Sequence, residues 1–268
     1  MNRAFWFGWR FGLLAMVVCL ATVGCRVPDT DGGSALRVMS YNLHHGEGLD
    51  GRVDLERIAD VIRQERPDLV ALQEVDKSVE RTRRRDFPTE LAALTGMSCV
   101  FSNNYHYQGG EYGNAILSRL PVVGWTNRHY RMLRPGEQRG LLEVRAKVGR
   151  RLIRFFATHL DFRGDDSERM LNVGEIRAVV ESEPDLPAIV AGDFNDLPGR
   201  RVHGLMKEFM DDAWEAGGEG DGFTIPAAKP QKRIDYVFVT HGITADRMWV
   251  PATEASDHRP VAVDLREQ

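Results

Sequence analysis

The stretch IVAGDFND, residues 189–196, sets the problem. Three apolar residues run as a strand into Gly192, then into Asp193, Phe194, Asn195 and Asp196. Side chains two apart on an extended chain share a face, so Asp193 and Asn195 look one way while Phe194 packs behind them. A buried strand that ends on a carboxylate and a carboxamide aimed together suits a site better than a core.

The same pattern recurs along the chain. β-rich runs occupy 36–43, 68–75, 114–119, 141–148, 151–160, 187–194, 234–240 and 260–265. Helical spacing separates some of them. Leu55, Ile58, Ala59 and Ile62 recur at i, i+3, i+4 and i+7 within 54–64, ahead of Pro67. Residues 167–183 give a second helix with Met170, Val173 and Val180 on one side, and 199–209 a third. Strands outnumber helices about two to one, which points to an α/β (α+β) chain with two packed sheets and outer helices rather than a simple alternating sheet. NNYHYQGGEYGN (103–114), with Tyr105, His106, Tyr107 and Tyr112, reads as a glycine-rich loop whose aromatics either pack the loop or cover a substrate.

The strand ends carry the chemistry. They offer Asn42, Gln73-Glu74, His159 with Asp161, Asp193 with Asn195, Asp235 at the start of its run, and Asp257-His258 before the last strand. Taken singly, each is an ordinary turn or strand-end residue. Taken together, they are what a scaffold needs to gather oxygen ligands around a cation. Carboxylates and carboxamides choose a hard ion, Mg²⁺ with Mn²⁺ or Ca²⁺ as alternatives. Neither HExxH nor CxxC occurs, so zinc spacing is lacking and His44-His45 with Glu47 reads as a polar loop beside the site. A hard cation flanked by histidines points to phosphate ester hydrolysis, with the charge shielded and a water positioned for in-line attack.

SYNLH (40–44), LQEVD (72–76), GNAILSRLP (113–121), THLD (158–161), GDFND (192–196), RIDYVF (233–238) and SDHRPV (256–261) together resemble, in order, the motifs of the endonuclease/exonuclease/phosphatase superfamily. The resemblance implies a four-layer sandwich, two mixed sheets inside and helices outside. It also implies roles. Glu74 is the principal metal ligand, with Asn42 beside it and Asp257 on the metal side. His258 contacts the scissile phosphate or works as acid/base, oriented by Asp235. Asp193 aligns or deprotonates water, Asn195 holds a phosphate oxygen, and His159 stabilises the leaving side. Whether Asp193 or a histidine is the base stays open. Asn114, Arg139 and Tyr112 are candidate substrate contacts, with a structural hydrogen bond the alternative for Asn114. The run Arg81–Arg85 is either a phosphate clamp or a solvated loop. The competing reading is a non-catalytic binding module that retains the fold, which a degenerate site would favour.

Composition sets the context. Of 268 residues, 43% are hydrophobic and 28% charged, with a formal charge of −4. Arg3 and Arg10, an apolar run over 11–23 and Gly24-Cys25 describe an export signal of residues 1–24 of the lipoprotein type. Cys25 would be lipidated, residues 25–35 would form a tether, and residues 36–268 the catalytic domain. Removing 1–24 leaves 33 basic against 39 acidic side chains, a formal charge of −6. That balance makes nucleic acid the less favoured partner. The expected protein is a periplasmic or outer-surface, membrane-anchored monomer acting on a phospholipid headgroup, a small phosphodiester or, less readily, nucleic acid.

Overall fold

The computed structural model describes residue 1 and residues 35–267, so Cys25, the tether up to residue 34 and the export signal beyond Met1 lie outside the described residues. In chain order the elements are β1 (Leu36–Asn42), α1 (Leu55–Glu65), β2 (Leu69–Lys77), α2 (Phe87–Thr95), β3 (Ser98–Tyr107), β4 (Gly110–Ser118) and β5 (Val122–His129). β6 (Gly140–Val148), β7 (Arg151–His159), α3 (Ser167–Glu181), β8 (Ala188–Asp193), α4 (Arg201–Met206) and β9 (Asp211–Asp212) follow. α5 (Ala213–Gly217), β10 (Asp235–Val239), β11 (Ile243–Trp249) and β12 (Val261–Glu267) complete the domain.

Two six-stranded mixed sheets form, in the orders β11-β12-β1-β2-β4-β3 and β5-β6-β7-β8-β10-β9. The strand period of two assigns side chains to layers. Val38, Leu69, Ala71 and Ile116 of the first sheet meet Phe155, Ala157, Ile189, Ala191 and Val237 of the second in the central core. Their neighbours turn outward. Met39, Tyr41, Val70 and Leu72 pack under Ile58, Ile62 and Leu91 of α1 and α2, while Phe156, Val190 and Phe238 pack under Val173, Ile176 and Val202 of α3 and α4. The result is the expected helix–sheet–sheet–helix sandwich.

The eight interior strands are the eight runs legible in the sequence. The four edge strands β3, β5, β9 and β11 are additional. β5 is mostly exposed and β3 only partly buried, so neither carries a continuous apolar signature. The glycine-rich stretch 103–114 is accordingly a β-hairpin rather than a loop. Gln108 and Gly109 form its two-residue turn with φ of 45° and 74°, positive at both positions as a type I′ turn requires. α1 ends one residue past the expected stretch and is capped by Asp54, whose side chain accepts from Glu56 N at 3.0 Å. α2 was not expected. Its signals are terminal, Asp86 bonding Thr89 N, Pro88 in the first turn and Gly96 at φ 66° after the end. α3 stops at Glu181 and α4 is confined to Arg201–Met206, both shorter than the periodicity suggests.

Candidate active site

Strand direction decides where the strand ends go. β1 runs parallel to β2 and β7 parallel to β8, so Asn42, Glu74, His159 and Asp193 reach one edge of the sandwich. β10 is antiparallel to β8 and β12 to β1, which brings their starts, Asp235 and the preceding Asp257-His258, to that same edge. Register tightens the arrangement further. Asp193 pairs across to His159 on one side and to Asp235 on the other, placing the three in one row.

Asp193, Asp235 and His258 form the buried centre. His258 Nδ1 lies 2.9 Å from Asp235 Oδ2, which also accepts from Thr224 Oγ1 at 2.5 Å. The other imidazole nitrogen faces Asp193 Oδ2 at 3.8 Å. Burial works against a charge on His258, but Asp235 and Asp193 outweigh it and push its pKa up to about 10. Asp193 shifts upward to about 7, first because it is buried and then because Asp235 is negative beside it. The His258 charge, with donation from Asn195 N (2.9 Å) and Asn42 Nδ2 (3.1 Å), offsets only part of that rise.

His159 is held differently. Arg139 Nη1 lies 2.9 Å from His159 Nδ1, and a guanidinium can only donate. Nδ1 is therefore the acceptor and Nε2 carries the proton, directed toward Asp193 Oδ2 at 3.5 Å. Burial and the Arg139 charge together hold His159 well below the ordinary histidine value. Arg139 also lies 3.0 Å from Glu137 Oε1, a carboxylate whose pKa burial raises.

Glu74 sits on a bulge. Between Leu72↔Ala115 and Val75↔Gly113, β2 advances three residues against two on β4, and Glu74 takes φ 59°. Asn195 is likewise left-handed at φ 50°. Non-glycine residues held there concentrate at functional sites. Burial pushes the Glu74 pKa up, yet His45, His159, Asn42 and Arg139 together hold it well below the carboxylate range. Asn42 Nδ2 bridges Glu74 Oε1 (3.2 Å) and Asp193 Oδ2, while its own oxygen accepts from His44 N at 3.0 Å. Asn42, expected as a metal ligand, thus lies against both the Glu74 and Asp193 carboxylates. Asp257 stands 3.9 Å from His44 Nδ1 and is 39% exposed, at the rim rather than in the centre.

The donor set fits a hard divalent cation. Glu74 is ionised, and its Oε2 lies 4.0 Å from His45 Nδ1, a buried atom without a hydrogen-bond partner among the described residues. Asp235 Oδ1 is orphaned in the same way. Buried unsatisfied atoms beside oxygen donors are the pattern of a site completed by a ligand.

Glu74, His159, Asp193, Asn195 and His258 line one cavity of about 390 Å³, together with Tyr112 and Arg139. Asn114 does not reach it. Its Nδ2 donates to the carbonyls of Gly140 (3.1 Å) and Ala157 (3.4 Å), tying the first sheet to the second, which is the structural role. Asp161 is taken up by Arg163 Nε at 2.8 Å. The basic run divides. Arg81 enters the cavity wall, whereas Arg83 and Arg84 are exposed outside it. Glu137 and Thr224 were not read from the sequence. Glu137 lay within view beside Arg139 in EQRG, but nothing in the loop before β10 marks Thr224.

Comparison with known proteins agrees with this geometry. The family model described as "Endonuclease/Exonuclease/phosphatase family" matches residues 39–258. The chain is 26% identical over 254 residues to the uncharacterized protein YbhP of Escherichia coli K12, covering 89% of this chain and 99% of that one. It is 28% identical over 203 residues to a 5'-tyrosyl-DNA phosphodiesterase of Caenorhabditis elegans, covering 69% of this chain and 49% of the relative. The crystal structure of an endonuclease/exonuclease/phosphatase from Beutenbergia cavernae superposes with a TM-score of 0.74 at 27% identity, over 87% of this chain and 72% of that one.

Proposed function

The chain belongs to the endonuclease/exonuclease/phosphatase family of divalent-metal-dependent phosphoester hydrolases, and from that premise we propose a Mg²⁺-dependent enzyme that cleaves a phosphate mono- or diester with water. The observation that carries this reading is convergence. Glu74, His159, Asp193 with Asn195, and His258 come from four separate segments and line a single cavity.

Glu74 and Asp257 would hold the cation, with Asn42 fixing the Glu74 carboxylate. When bound, that ion supplies charge screening for the phosphoryl group. Asp193, held by the Asn42 amide, aligns the attacking water and accepts its proton. His258, kept charged by Asp235, donates from Nε2 to a phosphoryl oxygen. Asn195 spends one amide hydrogen on Leu160 O at 3.1 Å and offers the other to the phosphate. His159, a neutral Nε2–H donor, stabilises the leaving oxygen.

Turnover of p-nitrophenyl phosphate and bis-p-nitrophenyl phosphate tests the scheme. Activity should require added Mg²⁺ or Mn²⁺ and disappear in Asp193→Ala and His258→Ala. Turnover indifferent to metal, or to both substitutions, would end it and leave the non-catalytic binding module. We further place the enzyme outside the cytoplasm, tethered through Cys25, on the sequence pattern of residues 1–25. Metabolic labelling with a fatty acid should mark the wild type and miss Cys25→Ser.

A further inference from the structure

Arg139 is a buried cation with one edge of its guanidinium empty. It is 5% exposed and lines the catalytic cavity. Its one hydrogen bond among the described residues runs from Nη1 to His159 Nδ1 at 2.9 Å. Nε is buried without a partner, and Nη2 donates to no described residue. Glu137 Oε1 stands 3.0 Å from Nη1, on the occupied side, and makes no hydrogen bond itself. Only one of the five guanidinium donors is therefore used.

Other arginines of the domain show what the Nε–Nη2 edge takes. It grips both oxygens of one carboxylate in Arg37 on Asp264, Arg81 on Asp76 and buried Arg154 on Glu143. Arg57, Arg134 and Arg169 share an orphaned Nε with Arg139. Arg57 and Arg134 are nonetheless hydrogen-bonded to Asp50 and Asp165, and Arg169 lies outside the cavity lining with two backbone carbonyls on Nη1. A fork of this kind fits two oxygens of one anion, carboxylate or phosphoryl group alike. A buried charge with open donors is costly unless a ligand completes it.

Position chooses between those anions. The guanidinium is one imidazole away from the reacting centre, since His159 Nε2 lies 3.5 Å from Asp193 Oδ2. Its charge also helps to hold Glu74 ionised. An anion on this edge is thus the phosphoryl group being cleaved. A diester has two terminal oxygens, already met by His258, Asn195 and the bound cation in the scheme above. A monoester brings a third terminal oxygen and a second negative charge.

We propose, building on the hydrolytic reading above, that the open Nε–Nη2 edge of Arg139 holds terminal oxygens of the phosphoryl group and makes this enzyme a phosphomonoesterase in preference to a diesterase. Water adds to phosphorus, the ester P–O bond breaks, and an alcohol and inorganic phosphate leave.

p-Nitrophenyl phosphate against bis-p-nitrophenyl phosphate reads the preference. The wild type should cleave the monoester with the higher kcat/KM. Arg139→Lys keeps a charge and a donor for His159 but loses the fork. It should lower kcat/KM about tenfold for the monoester, the size of one charge-assisted hydrogen bond, and about twofold for the diester. Comparing the two enzymes cancels the intrinsic reactivity of the esters. A role exerted only through His159 would lower both alike. Faster cleavage of the diester by the wild type, or equal losses on the two esters, would overturn the proposal. Should neither ester be cleaved, the hydrolytic reading fails by itself. Calorimetry with inorganic phosphate and dimethyl phosphate, in Mg²⁺, then still decides the role of Arg139. The wild type should bind phosphate the tighter of the two anions, and about tenfold tighter than Arg139→Lys does. Equal binding of both anions by the wild type, or no binding of phosphate, refutes the proposal, and that comparison needs no variant to fold.

Discussion

Two His–Asp pairs stand in the second sheet region at nearly the same separation. His258 Nδ1 meets Asp235 at 2.9 Å, and His203 Nε2 meets Asp212 at 3.0 Å. Both are buried, and each pair has a third acidic residue that offers a donor atom within 4.8 Å, Asp193 in one and Glu215 in the other. The difference lies in what satisfies the remaining atoms. Asp212 also accepts from Arg233 Nη1 at 2.8 and 3.1 Å and from Trp214 N at 3.0 Å. His203 Nδ1 accepts from Gly199 N at 3.2 Å, and Glu215 is taken by Lys207. Every charge there has an internal partner. At His258, one imidazole faces two carboxylates, Asp235 keeps an orphaned oxygen, and the free nitrogen looks into the cavity. A His–Asp pair is thus structural when its charge is closed by the protein and chemical when it is left open toward a ligand.

Kinetics should separate the pairs most widely. Asp193→Asn should lower kcat/KM by about 10³-fold, within the range for losing a general base, while melting no lower than the wild type because a carboxylate beside Asp235 disappears. Asp212→Asn should do the reverse. Leaving Arg233 buried and unpaired should cost about 3–5 kcal/mol in denaturant unfolding, with kcat/KM per folded molecule retained. Equal losses of activity in the two variants would dissolve the distinction.

Acidity should then divide them by sign. Burial pushes the Asp212 pKa up, but His203 and Arg233 overcome it and the folded value is lowered. Its stabilisation is present above the unfolded carboxylate value of about 3.9 and is lost as pH falls through the folded one. Asp193 has the opposite shift, to about 7. Its contribution is full below about pH 3.9 and is lost as pH rises through about 7. Urea unfolding across pH 3 to 8 without added metal should show Asp193→Asn removing the decline toward neutrality, and Asp212→Asn removing part of the acid loss.

The smallest effect concerns the third imidazole. Arg139→Gln should free His159 Nδ1, raise its pKa and lower kcat/KM by about tenfold. Nitrogen-15 shifts of the ring would report the loss of the fixed Nε2–H tautomer, and an unchanged tautomer would show that Arg139 does not set it.

The interior of the fold was legible because strands covered on both faces need continuous apolar runs, as LVALQ and AIVAG have. Edge strands face solvent, so β3, β5, β9 and β11 left no such trace, and the β3–β4 hairpin passed for a loop. In the site, the residues at strand ends were visible as polar groups closing apolar runs. Glu137, Thr224 and the pairing of Arg81 with Asp76 were not, because even a partner two to eleven residues away is brought into contact only by the folded backbone.

The sequence by itself determined the alternation that builds two sheets, the family motifs and the residue types that converge, since these follow from local periodicity and side-chain chemistry. Only the tertiary structure decided which charges are closed and which stay open. Asn42 bridges two carboxylates, Asn114 stitches the sheets together, His159 is a neutral donor and Arg81 a paired cation. Each outcome depends on contacts of about 3 Å that only the folded backbone sets, whether the partners are as remote as Asn42 and Asp193 or as near as Asp76 and Arg81.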